Sequence, residues 1–238
     1  MQIPEPGLPS IVSEMVKITS GEYQLTGELS YPDSGTPKFA VVISCPHPLL
    51  GGNMENNVIK GLGNGLASKG MLTLRFDYRG VGKSEGPSID LAKHLAEFWE
   101  TSHVPDELNY WQDLQASVNF LKDIDPTLPI ALVGYSFGCS LLPLVQAGNR
   151  ISCYVLIAPT LKNHDYFSYR SVHEPILVIA SNYDFFTSQK DIENWIQSLS
   201  GPRYLLTKDC DNHFFRGHEN WVIDKAFGFI QSNCGNRS

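Results

Sequence analysis

Ile130-Ala131-Leu132-Val133-Gly134-Tyr135-Ser136-Phe137-Gly138 is a short apolar run that stops at a glycine, bends, and restarts on residues that suit a helix. A four-residue apolar block bounded by a turn signal reads as a buried strand, and the glycine-x-serine-x-glycine pattern that follows reads as a strand-to-helix turn with the serine at its apex. The two glycines stand where the chain folds back closely, so that a Cβ at either position would crowd the bend. A helix opening just after Ser136 leaves unpaired N–H groups and the positive end of its dipole beside the hydroxyl, where a developing negative charge is stabilised.

Outward from this turn, strand-like and helix-like segments alternate in both directions. Toward the C-terminus the periodicity predicts a helix over 137–147, strands over 152–158 and 176–181, a helix over 188–199, a strand over 203–207 and a last helix over 220–231. Toward the N-terminus it predicts a helix over 108–122, a strand over 71–76, a helix over 57–69 and a near-continuous β-branched strand over 39–44, of the kind buried on both faces of a parallel sheet. Two extended segments, 15–18 and 23–31, are joined through Thr19-Ser20-Gly21-Glu22, a hairpin signal that predicts an antiparallel edge. The fold class is therefore α/β: a mostly parallel, doubly wound sheet with an antiparallel N-terminal hairpin and helices on both faces.

Length and composition agree with this. The 238 residues, 42% of them hydrophobic and 18% charged, suit one α/β domain over 1–238, with no repeat or linker dividing it. Residues 1–13 are expected to be irregular, and 85–109 is longer than an ordinary connection, which marks it as a possible lid insertion. A formal charge of -7 without a Lys/Arg cluster argues against a nucleic-acid partner. The beginning of the chain does not read as a secretory signal, and no apolar stretch reaches membrane-spanning length. Five scattered cysteines without C-x-x-C spacing fit a reducing cytoplasm and give no reason to expect a metal site.

Three further stretches stand beside the turn at Ser136 as motifs of their own: Pro46-His47-Pro48-Leu49-Leu50-Gly51-Gly52, Asp77-Tyr78-Arg79-Gly80-Val81-Gly82-Lys83-Ser84, and Asp211-Asn212-His213-Phe214-Phe215. Together these motifs resemble the α/β-hydrolase superfamily over nearly the whole chain, from about residue 16 to 229, and most closely its small branch without a cap domain, which is dienelactone-hydrolase- and serine-esterase-like. The 77–84 stretch resembles the D-x-R-G-x-G-x-S turn of that superfamily. It is not a phosphate-binding loop, because position 77 is aspartate where that motif needs glycine.

The resemblance implies a serine nucleophile, an acid and a histidine, in that chain order. Ser136 would be the nucleophile, Asp184 the carboxylate two strands further on, and His213 the general base on the loop after the last strand. Asp209 and Asp211 stand as backups for the acid, whereas His94 and His103 lack ligand spacing and read as solvated or packing residues. The resemblance further implies an oxyanion hole built from two backbone amides, those of Phe137 and Leu49. Pro48 departs from the superfamily's usual glycine in that loop, and Asn212 from the D-H-F-F form of the histidine segment. Too few residues separate 158 from 176 for a helical cap, so 85–109 and the aromatic stretch 165–169 are the candidates for covering the pocket.

The activity implied is hydrolysis of a small-molecule carboxylic ester through an acyl-enzyme, with no cofactor. Amidase, peptidase or thioesterase chemistry would use the same machinery. A binding protein on the same fold is the reading from another class.

Overall fold

The computed structural model describes residues 10–103, 107–210 and 213–234. The strands are β1 (Ile11–Ser20), β2 (Tyr23–Pro32), β3 (Ala40–Ser44), β4 (Leu72–Phe76), β5 (Ile130–Tyr135), β6 (Ile151–Ile157), β7 (Ile176–Ser181) and β8 (Arg203–Lys208). They form one sheet in the order β1-β2-β4-β3-β5-β6-β7-β8. β1 pairs antiparallel with β2, and β2 antiparallel with β4; every pairing beyond β4 is parallel. Each residue of β3, β4, β5, β6 and β7 is buried, which is why these segments are almost continuously apolar, whereas β8 at the edge is mixed.

Helices α1 (Asn57–Ser68), α2 (Leu91–Thr101), α3 (Trp111–Ile124), α4 (Gly138–Leu141), α5 (Gln189–Gln197) and α6 (Glu219–Cys234) complete the fold. From β3 the chain crosses through α1 to β4 on one side; from β4 it returns past β3, through α3, to β5 on the other. With right-handed crossovers, α1 and α3 must then fall on opposite faces, and α6 packs against α1. That reversal opens a crevice beyond the C-terminal ends of β3 and β5, the place where open α/β sheets bind ligands.

The hairpin is fastened to the rest by ionic contacts. Asp113 at the start of α3 is fully buried, accepts from Ser20 Oγ at 2.7 Å and is chelated by Arg79, whose Nη2 lies 2.7 Å from Oδ1. Buried Arg75 of β4 pairs with Glu28 of β2 at 2.8 Å and with Glu55 at 2.6 Å. Burial alone would lower the Arg75 pKa, yet its carboxylate partners raise it.

Two expectations need correction. The region 1–13 is not wholly irregular: β1 begins at Ile11, and its mostly exposed and half-buried residues hid it from a hydrophobicity-based reading, while residues 1–9 lie outside the described chain. The helix expected over 137–147 ends at Leu141 and continues only as a 3₁₀ turn over Leu142–Leu144. Pro143 is the cause, since it has no N–H to offer the Cys139 carbonyl four residues back; the Tyr169 hydroxyl takes that carbonyl instead, at 2.6 Å. The segment 85–109 contains α2, capped by Asp90, whose carboxylate accepts from the Lys93 amide at 3.1 Å, and ended by Ser102 at φ 57°. Residues 104–106 of that segment lie outside the described chain.

Candidate active site

β5 delivers the chain to the crevice, and the bend after it is as tight as the glycines require. A Cβ on Gly134 would lie 2.7 Å from the Cys139 nitrogen, and one on Gly138 would lie 2.4 Å from the Ser44 carbonyl oxygen of β3. The strain of the turn falls on Ser136, with φ at 55°, a left-handed conformation that costs a non-glycine residue about 1–3 kcal/mol. Its amide donates to the Ile157 carbonyl at 2.8 Å, pinning the apex to β6. Phe137 directly opens α4, so its N–H belongs to the first helical turn, where amides have no intrahelical acceptor.

Ser136 Oγ lies 2.9 Å from His213 Nε2, and His213 Nδ1 lies 2.8 Å from Asp184 Oδ2. Sequence alone separates these three residues widely; β5, the loop after β7 and the loop after β8 bring them together. The side chains of His213 and Asp184 are only 3% and 2% exposed, so the pair lies away from bulk solvent. Asp184 uses its other oxygen to accept the Phe186 amide at 2.8 Å, which holds the carboxylate in its turn. An ionised carboxylate only accepts, so Nδ1 carries the imidazole proton and the Nε2 lone pair faces the serine hydroxyl. Tyr135 stacks on His213 and donates its hydroxyl to the His213 carbonyl at 3.2 Å. Burial, with the Asp184 carboxylate adding to it, pushes that phenol's pKa up, so it remains a neutral donor. Of the two backup acids, Asp209 is exposed and Asp211 lies outside the described residues.

The hydroxyl opens into a cavity of about 350 Å³. Its walls are largely aromatic and aliphatic: Leu95, Phe98 and Trp99 come from α2, and Phe185, Phe186 and Phe214 from the loops that carry the acid and the histidine. The segment 85–109 therefore borders the pocket through α2. The stretch 165–169 packs elsewhere, with Tyr166 and Tyr169 buried against Trp195. Phe185 and Phe186 adjoin Asp184 in sequence and could have been singled out from that alone; the contribution of α2 carried no motif.

The loop after β3 places the Leu49 amide otherwise than a free oxyanion donor. Its N–H is directed to His47 Nδ1 at 3.2 Å, and Leu50, not Leu49, lines the cavity. The His47 ring lies on Phe137, with centroids 4.3 Å apart, and its Nε2 contacts Glu107 Oε2 at 3.1 Å. Glu107 Oε1 in turn meets His164 Nδ1 at 2.6 Å. Burial lowers the His47 pKa against the opposing effect of Glu107, which keeps the imidazole neutral. Burial would raise the Glu107 carboxyl, but hydrogen bonds from His164 and His47 outweigh it and hold it at about 2. No local pattern in the sequence signals Glu107 or His164, because their meeting depends on chain order in the sheet. No group of three or more His, Cys, Asp or Glu that could hold a metal ion occurs among the described residues, and no helix among them is long and apolar enough to cross a membrane.

Comparison with known proteins agrees with this fold. The family model described as serine aminopeptidase, S33, matches residues 39–205, well over half of the chain. A sequence relative, an uncharacterized protein of Rickettsia prowazekii, is 26% identical over 227 residues, covering 89% of this chain and 87% of its own. Among solved structures, a Xanthomonas campestris α/β serine hydrolase without a lid superposes with a TM-score of 0.75 at 21% identity, covering 92% of this chain and 94% of that one. An esterase of Pyrococcus furiosus reaches 0.73 at 16% identity, covering 94% and 91%. At such identities the two structures speak for the fold: an α/β-hydrolase sheet without a large cap.

Proposed function

We propose that the chain, which belongs to the serine aminopeptidase S33 family of α/β serine hydrolases, hydrolyses carboxylic esters through an acyl-enzyme on Ser136. The observation that carries this reading is the relay from Ser136 Oγ through His213 to Asp184, at 2.9 and 2.8 Å. A serine hydroxyl is a poor nucleophile until a neutral base takes its proton, and His213 Nε2 is within reach to do so. As Oγ attacks the ester carbonyl, the proton passes to Nε2, and Asp184 stabilises the imidazolium that forms. The tetrahedral oxyanion is held by the Phe137 amide and by the Leu49 amide. Leu49 is already hydrogen-bonded to a neutral imidazole, but charge-assisted bonds are roughly twice as strong as neutral ones, so the oxyanion outcompetes His47 for it. Collapse of the intermediate releases the alcohol with the proton from His213, and water activated by the same nitrogen then frees the acid.

The apolar walls favour a neutral, apolar acyl or alkoxy group of small to medium size. The family description favours a second reading, removal of an N-terminal residue from a peptide. That chemistry needs an acceptor for the substrate's ammonium, and among the described residues the cavity wall contains no carboxylate. Turnover of p-nitrophenyl esters of increasing acyl length, set beside aminoacyl-p-nitroanilides, separates the two. Ester turnover that Ser136→Ala abolishes supports the first; turnover confined to the anilides with a free amine supports the second.

A further inference from the structure

The buried cluster His47–Glu107–His164 lies behind the nucleophile turn and has no part in the proton relay of His213. It joins three separate parts of the chain: the loop after β3, the 3₁₀ turn preceding α3, and the loop after β6. The side chains of His47 and Glu107 are only 5% and 8% exposed, and that of His164 6%. Burying a carboxylate beside two imidazoles is costly unless every lone pair and proton has a place. Here both nitrogens of His47 and both oxygens of Glu107 have a partner: Leu49 N–H can only donate, so His47 Nδ1 is the acceptor and the His47 proton sits on Nε2, donated to Glu107. Glu107 spends its second oxygen on His164 Nδ1.

We propose that Glu107 is a positioning residue for hydrolysis: it locks His47 as the Nε2–H tautomer, and His47 through Nδ1 holds the Leu49 amide ready for transfer to the oxyanion. This rests on the reading of Ser136 as the nucleophile. In the opposite tautomer two N–H groups would face each other across the 3.2 Å between Leu49 and His47. The turn over Pro48–Leu50 would then have to move, and with it the second donor. Because the His47 ring also packs on Phe137, the same lock bears on the first donor. His47 is thus the acceptor that satisfies a buried N–H while no substrate is bound, and it yields that N–H when a charged oxygen arrives.

The test is E107Q, made in the full chain and assayed on the ester best used by the wild type. Glutamine keeps the shape but replaces one accepting oxygen with an NH₂ donor, so it cannot receive protons from both histidines. Expected are a fall in kcat on the order of 10- to 100-fold with KM within about two-fold of wild type, in a variant that still unfolds in one transition, at a lower temperature than the wild type. The histidine ¹⁵N spectrum should show His47 as Nε2–H in the wild type and as Nδ1–H or a mixture in E107Q, with His47 signals assigned by their loss in His47→Asn. A wild-type His47 protonated on Nδ1, or an E107Q enzyme that changes tautomer yet keeps kcat within two-fold, overturns the proposal. If E107Q does not fold, the wild-type spectrum alone decides. Ester turnover by the wild type and its loss in Ser136→Ala are scored separately, so a failed hydrolase reading is not confused with a failed tautomer lock.

Discussion

Ser136 bears its positive φ because the Oγ must project past the helix start, and a relaxed backbone there would turn it away from His213. The histidine's work depends on Asp184 being an acceptor at Nδ1. Replacing it with asparagine keeps the size but lets the NH₂ group face Nδ1, which favours the tautomer whose proton points at the serine. Asp184→Asn should therefore lower kcat on the order of 10³- to 10⁴-fold with little change in thermal stability; activity within ten-fold of wild type would mean that another acid orients His213. The three residues of the relay were legible in the sequence because each sits at a topologically required strand end. The Leu49 amide was legible only as a position: that its N–H rests on His47 follows from Pro48 and the tight turn after it, where the superfamily's usual residue is glycine.

Among the elements, α2 is the one that sequence periodicity left undescribed, and it is the one that shapes the pocket. Of its residues only Phe98 is buried, so the helix gains little from packing, although Leu91, Leu95, Phe98 and Trp99 recur at helical spacing. Trp99 is 76% exposed overall and still lines the cavity. Trp99→Ala should leave stability within about 0.5 kcal/mol and reduce kcat/KM for the longer p-nitrophenyl acyl esters more than for the acetate. A uniform loss across the series would place Trp99 away from the acyl path. α4 illustrates the opposite failing: its start was legible from Gly138, but its end was overestimated because apolar spacing continued through a proline. The buried Tyr169, supplying the bond that Pro143 cannot, shows how a distant element repairs that break.

At the scale of the whole molecule, the strand order places the crevice, and the fold class could be read from the alternation of β-branched runs and helical segments. Ionic links between distant segments could not be read, because a charged residue in a sequence does not reveal whether it is buried. Glu107 is such a case, and it ties stability to pH. Its folded pKa of about 2 is below the ordinary 4.5, so its contribution is complete above about pH 4.5 and is lost as pH falls toward 2. The stability difference between wild type and E107Q, from urea unfolding, should narrow as pH falls from 4.5 to 2; a difference that stays the same or widens across that window would contradict the ionised carboxylate. The central claim, a hydrolase acting through Ser136, is tested most directly by p-nitrophenyl ester turnover in wild type and Ser136→Ala at matched, folded concentrations, with fluorophosphonate labelling of the same samples. The account predicts turnover and labelling of Ser136 in the wild type and loss of both in the variant. Turnover that persists in Ser136→Ala, or a wild type that neither hydrolyses esters nor takes the label, would contradict it.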